Sequence, residues 1–180
     1  MFLQKLNDKP SPKKAKFLII LGFFMCFIAI PIMQYFSGVS GYPANILASQ
    51  LSFNGELLKS YYSLTNIFLY RISTSLDYIF MAGYGIILFS SSVLIARKYT
   101  YSSRVQKIGF LVALFGIIAA ICDGIENIFI LLMLTDPLTF PNVWAIIHSV
   151  FALIKWILLF IVITWIITAG VINLIKRKKV

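Results

Sequence analysis

A few polar side chains interrupt the apolar runs of this chain, at spacings that belong to helix faces. In the run Cys122-Asp123-Gly124-Ile125-Glu126-Asn127, the residues Asp123, Glu126 and Asn127 stand at i, i+3 and i+4. On a helix all three project from one side. His148 and Lys155 are two helical turns apart, as are Asp77 and Tyr84, so each pair also shares a face. A charge in hydrocarbon costs about 2.5–3.5 kcal/mol on insertion scales, so each of these groups needs a partner or a task. Low dielectric favours the neutral form of a carboxylic acid, which suits general acid/base chemistry, a proton relay or ligand binding. In that reading Asp123 and Glu126 are the catalytic acid/base or ligand-binding groups and Lys155 tunes their charge. Asp77, Tyr84, Asn127 and His148 complete a ligand-binding set, with Asp77 and His148 at its rim. Asp77, Asp123, Glu126 and His148 are metal-ligand types, but a single His and no paired-His helical motif argue against a metal site. No phosphate loop, nucleophile elbow or zinc-protease motif is present, and no cofactor is specified.

The elements that must position these groups are membrane spans. Of the 180 residues, 60% are hydrophobic and 12% charged, and the mean hydropathy is +0.91. Soluble domains average about 45–50% apolar and about 25% charged residues. Four apolar segments cover about Phe17–Phe36, Asp77–Ala96, Ile108–Leu134 and Val143–Ile175. Each reaches the roughly 20 helical residues that a bilayer core requires. The expected fold is all-α, a polytopic up-down four-helix transmembrane bundle forming a single domain over 1–180. Glycines and alanines at Gly83, Gly85, Gly116, Ala119 and Ala120 read as close-packing positions. Cys26 and Cys122 lie in apolar runs and read as packing residues, not a disulfide framework.

The net charge of +10 comes from short clusters beside the spans, not from one face of a folded module. That pattern marks topology and contact with anionic lipid, and it excludes nucleic acid as the expected partner. Lys5, Lys9, Lys13, Lys14 and Lys16 precede the first span. Arg97, Lys98, Arg104 and Lys107 join spans two and three, and Lys176, Arg177, Lys178 and Lys179 follow the fourth. With four spans all three clusters share one side, against Lys59 and Arg71 opposite. The positive-inside rule then sets both termini in the cytoplasm of a cell membrane, most simply a bacterial inner membrane. The first span also resembles a cleavable signal peptide, but its length and the bulky Tyr35 and Phe36 favour its retention.

The outer loop, 37–76, begins with Gly38, Gly41 and Pro43 and continues with apolar residues at helical spacing. It predicts one or two short amphipathic helices capping the bundle. The short connection Thr135–Asn142, with Pro137 and Pro141, makes spans three and four an antiparallel hairpin. At about 1.5 Å per residue, Asp123 and Lys155 then lie about 16 and 18 Å from the outer end, and Glu126 and His148 about 12 and 8 Å. The depths match Lys155 with Asp123 and His148 with Glu126.

Leu76-Asp77-Tyr78-Ile79-Phe80 with Tyr84, then Asp123-Gly124-Ile125-Glu126-Asn127, then Lys155-Trp156, resembles a group of small bacterial four-span membrane proteins without assigned activity. The resemblance implies the bundle and carries no chemistry with it. Three functional readings follow from the residues. The first is an integral membrane protein that binds a small or lipidic ligand in an outward-facing polar pocket. The second is a proton or ion pathway or transporter subunit, for which four helices require a homo-oligomer. The third is an accessory membrane protein whose buried ion pair is structural. Membrane lipids are partners in all three.

Overall fold

The computed structural model describes residues 2–177, with side chains for 3–175. Lys178 and Lys179 of the C-terminal basic cluster lie outside the described residues, as do the side chains of Lys176 and Arg177. The chain is all-helical in the order α1 (Phe2–Lys5), α2 (Pro12–Val39), α3 (Ile46–Gln50), α4 (Gly55–Tyr62), α5 (Ile67–Ala96), α6 (Arg104–Met133) and α7 (Asn142–Arg177). Helices α2, α5, α6 and α7 are each long and apolar enough to cross a membrane, the architecture of a multi-pass membrane protein. They run up and down in turn. α1, the α5–α6 turn and the end of α7 lie at one end, called here the basic end. α3, α4 and the loop before α7 lie at the other, the cap end.

Local chemistry sets the starts of the helices. Ser11, Asn45, Asn54, Asn66 and Ser103 each precede a helix, and each side chain accepts a backbone N–H from the first turn. Such caps satisfy donors that the helix itself cannot. The Asn66 cap corrects the expected start of the second span, because α5 begins at Ile67 and not near Asp77. The additional turns are polar in sequence yet satisfied in structure. Arg71 donates to the Leu134 carbonyl at 2.8 Å and Ser73 to the Met33 carbonyl at 3.0 Å. Thr74 and Ser75 bond back to the carbonyls of Tyr70 and Arg71. The remaining outer segment forms two short helices, α3 and α4, as its periodicity predicts.

The four long helices do not share burial equally. α5, α6 and α7 pack side by side with α6 in the middle, while α2 leans on α5. Glycines permit both contacts. A Cβ on Gly22 would meet the Gly83 carbonyl oxygen at 2.6 Å, and one on Gly83 would meet Cys26 Sγ at 2.9 Å. On the other face of α5, a Cβ on Gly85 would come within 2.8 Å of the Ala120 Cβ. Small residues that let backbones approach are the usual means of helix association in lipid. At the cap end Leu58, Tyr62, Met133, Leu134 and Phe140 close a buried apolar cluster over the helices.

Candidate functional site

The inward stripe of α7 is Ala145, the adjacent His148 and Ser149, Ala152, Lys155, Val162 and Ala169, all buried and recurring at helical intervals. Its exposed residues are large and apolar, including Ile146, Val150, Leu153, Ile157 and Phe160. His148 and Lys155 therefore enter the protein and avoid lipid. They meet α6, where Asp123, Glu126 and Asn127 are buried in turn. Lys155 Nζ lies 2.9 Å from Asp123 Oδ1 and 2.6 Å from Glu126 Oε2. His148 Nε2 stands 3.7 Å from Glu126 Oε1, beyond direct hydrogen-bond range.

α5 supplies the third wall. Tyr84 donates to Asp123 Oδ2 at 2.9 Å, so both oxygens of that carboxylate are engaged. Asn127 donates to Asp77 Oδ2 at 2.7 Å. Tyr78 donates to the Gly124 carbonyl at 3.1 Å, a further bond between α5 and α6. Asp77, Tyr84, Asp123, Glu126, Asn127, His148 and Lys155 thus form one polar cluster, as their faces and depths predict. Two features differ from expectation. Lys155 bridges both α6 carboxylates and not Asp123 alone, because i and i+3 on α6 present adjacent oxygens to one ammonium. His148, 1% exposed, sits inside the cluster and not at a rim.

Glu126 is the least satisfied member. It is fully buried, and neither oxygen makes a hydrogen bond of acceptable geometry despite the ammonium 2.6 Å away. Ser149 joins the cluster from the backbone side, a role its sequence context gave no sign of. Its Oγ lies 3.5 Å from His148 Nδ1 and accepts the Phe53 N–H at 3.1 Å. Phe53, in the α3–α4 turn, has a positive φ of 51°, and this bond holds that strained residue. The cluster is thereby tied to the cap. Among the described residues, no three His, Cys, Asp or Glu side chains converge as a metal-holding group.

Two cavities stand out, and the cluster lines neither. One, of about 60 Å³, lies at the cap end among Ser37, Tyr42, Ala44, Ile46, Ser49, Gln50, Tyr70 and Ile130. Tyr42 and Ser49 share a 2.5 Å hydrogen bond there, and burial pushes the Tyr42 phenol up to about 12, which keeps it neutral. Ile130 is one helical turn beyond Glu126, so this cavity lies between the cluster and the cap. The second, of about 260 Å³, is at the basic end. No family model, curated protein or solved structure matches the chain.

Proposed function

We propose that the chain is a multi-pass membrane protein whose buried cluster binds and exchanges protons with the cap-end side. The observation behind this reading is a charge mismatch in a closed space. Asp77, Asp123 and Glu126 face one ammonium, Lys155, and all lie within or beside the same contact set. Burying unpaired charge is costly, so such a cluster is neutral only when it holds protons. A single structural pair would need neither Glu126 nor Asp77.

The cluster also has a direction. Tyr84, Asp123, Lys155, Glu126, His148 and Ser149 succeed one another from the middle of α5 to the cap. The two long steps, 3.7 and 3.5 Å, flank His148. Rotation of the imidazole would close either one, and imidazole accepts a proton at one nitrogen while releasing it at the other. Asp123 and Glu126 are the acid/base groups in this scheme, and Lys155 holds them together. Both termini belong on the cytoplasmic side by the charge rule, which directs the exchange outward. The likeness to small bacterial four-span proteins belongs with this proposal.

A second reading, binding of a small or lipidic ligand from the outer side, is favoured by the cap-end cavity and its polar lining of Tyr42, Ser49, Gln50 and Tyr70. The two separate by experiment. Reconstituted in liposomes with an internal pH dye, the wild type should move protons, and Glu126→Gln should fold equally but lose at least nine-tenths of the flux. Equal flux from Glu126→Gln, or none from the wild type, would remove the proton reading.

A further inference from the structure

At the basic end, the 260 Å³ cavity is lined by Leu3, Gln4 and Asn7 from the N-terminal segment and by Tyr101, Ser102, Gln106, Lys107 and Phe110 from the α5–α6 turn and α6. It approaches the lower end of ligand-pocket sizes, about 300–1,000 Å³. The N-terminal segment forms its roof because it is pinned. Leu6 is buried against Val93, Ala96, Phe110 and Ala113, and its carbonyl accepts from Arg97 Nε at 2.8 Å.

The lining is selective in chemistry. Among the described residues no carboxylate contributes to it, and its charged member, Lys107, makes no ion pair. Gln106 is 97% buried, and its amide is held in one orientation because Oε1 accepts the Ser102 N–H at 2.8 Å. That bond secures Ser102 at a positive φ of 58°. Among the described residues Gln106 Nε2 makes no hydrogen bond, and Gln106 lines the cavity wall. Behind Leu6, Arg97 Nη1 and Nη2 are buried and, among the described residues, unpartnered, and Asp8 is the acidic group acting on Arg97 there. Unmade hydrogen bonds of buried donors are costly; the Arg97 donors lie beside this space, behind Leu6 of the segment that roofs it, and do not line it.

We infer that this cavity binds a phosphate ester, the headgroup of an anionic phospholipid in the leaflet at the basic end. Gln106 Nε2 and Lys107 Nζ donate to the phosphate oxygens and the Arg97 charge supports them from behind. Leu3, Tyr101 and Phe110 cover the glycerol side. The chain's cations cluster at this end, where they raise the local concentration of anionic lipid.

The test uses the full-length protein in neutral detergent, incubated with mixed phosphatidylglycerol and phosphatidylcholine, then washed and scored by mass spectrometry of retained lipid. The wild type should retain phosphatidylglycerol at least five-fold over phosphatidylcholine. Gln106→Glu keeps the oxygen that Ser102 needs and replaces the donor with a negative group, so it should abolish the preference; because this carboxylate is buried, a lowered unfolding midpoint passes the decision to Lys107→Ala. Lys107→Ala should lower retention several-fold, while Lys59→Ala at the cap end should not change it. Inorganic phosphate is titrated in a parallel arm. Saturable phosphate binding that Gln106→Glu removes, without lipid retention, would assign the same site to a soluble phosphate ester. Unchanged retention in both Gln106→Glu and Lys107→Ala, or no preference and no phosphate binding in the wild type, would overturn the inference.

Discussion

Helices α2 and α6 have equal mean hydropathy and nearly equal length, yet 17% of the apolar window of α2 is buried against 56% for α6. α2 turns Phe17, Phe23, Phe24, Phe27 and Tyr35 outward, and its buried residues are the small Ala15, Gly22 and Ala29. α6 lies between α5 and α7 and carries Asp123, Glu126 and Asn127. Hydropathy therefore reports that a helix can cross a membrane and not what surrounds it there. In lipid there is no hydrophobic gain from bringing helices together, so contact depends on small residues and polar pairs. α2 offers small residues and a backbone carbonyl, that of Met33, to Ser73, whereas α6 offers small residues and charged side chains with partners on both neighbours. The buried polar cluster lies where both operate.

The contrast is open to attack at each position. The largest effect belongs to Lys155→Met, which leaves Asp123 and Glu126 facing each other without a cation. It should cost about 3–5 kcal/mol, seen as a collapse of folded yield and of the unfolding midpoint in detergent. Charge reversal, Asp123→Lys with Lys155→Asp, should restore folding in part and leave proton exchange absent, since Glu126 and Tyr84 lose their partners. Complete recovery of both would make the Asp123–Lys155 pair a structural staple and remove Asp123 from the acid/base role. Next is Gly83→Leu at the α2–α5 contact, where a Cβ already meets Cys26 Sγ and the Gly22 carbonyl. Overpacking there should cost about 1–3 kcal/mol and loosen α2 alone, measured as faster protease cleavage between α2 and α3. Asn127→Leu removes the bond to Asp77 and should cost about 1 kcal/mol by reversible unfolding. Phe27→Ala, at an 80% exposed position on α2, should change stability by less than about 0.5 kcal/mol.

Much of this was legible in the sequence, for identifiable reasons. Span lengths and cation clusters are one-dimensional signals, and a short hairpin loop makes depth along spans three and four additive. That is why the meeting of Lys155 with Asp123, and of His148 with Glu126, follows from counting residues. The start of α5 was hidden because Arg71, Ser73, Thr74 and Ser75 lower its hydropathy, while their hydrogen bonds to backbone carbonyls appear only in three dimensions. Tyr78 and Ser149 were missed for a related reason. A hydroxyl within an apolar run names no partner, and the groups these two bind, the Gly124 carbonyl and the Phe53 N–H, carry no sequence mark. The off-centre position of α2 depends on which glycine faces which neighbour, and composition does not record that.

The central claim, that the buried cluster holds exchangeable protons, is tested most directly by infrared difference spectroscopy of the protein in lipid during a pH titration. A protonated-carboxyl band that titrates in the wild type and is missing in Glu126→Gln is the expected result. A spectrum with no titrating carboxyl band, or one that Glu126→Gln leaves unchanged, would contradict the account and make the cluster a fixed ion pair.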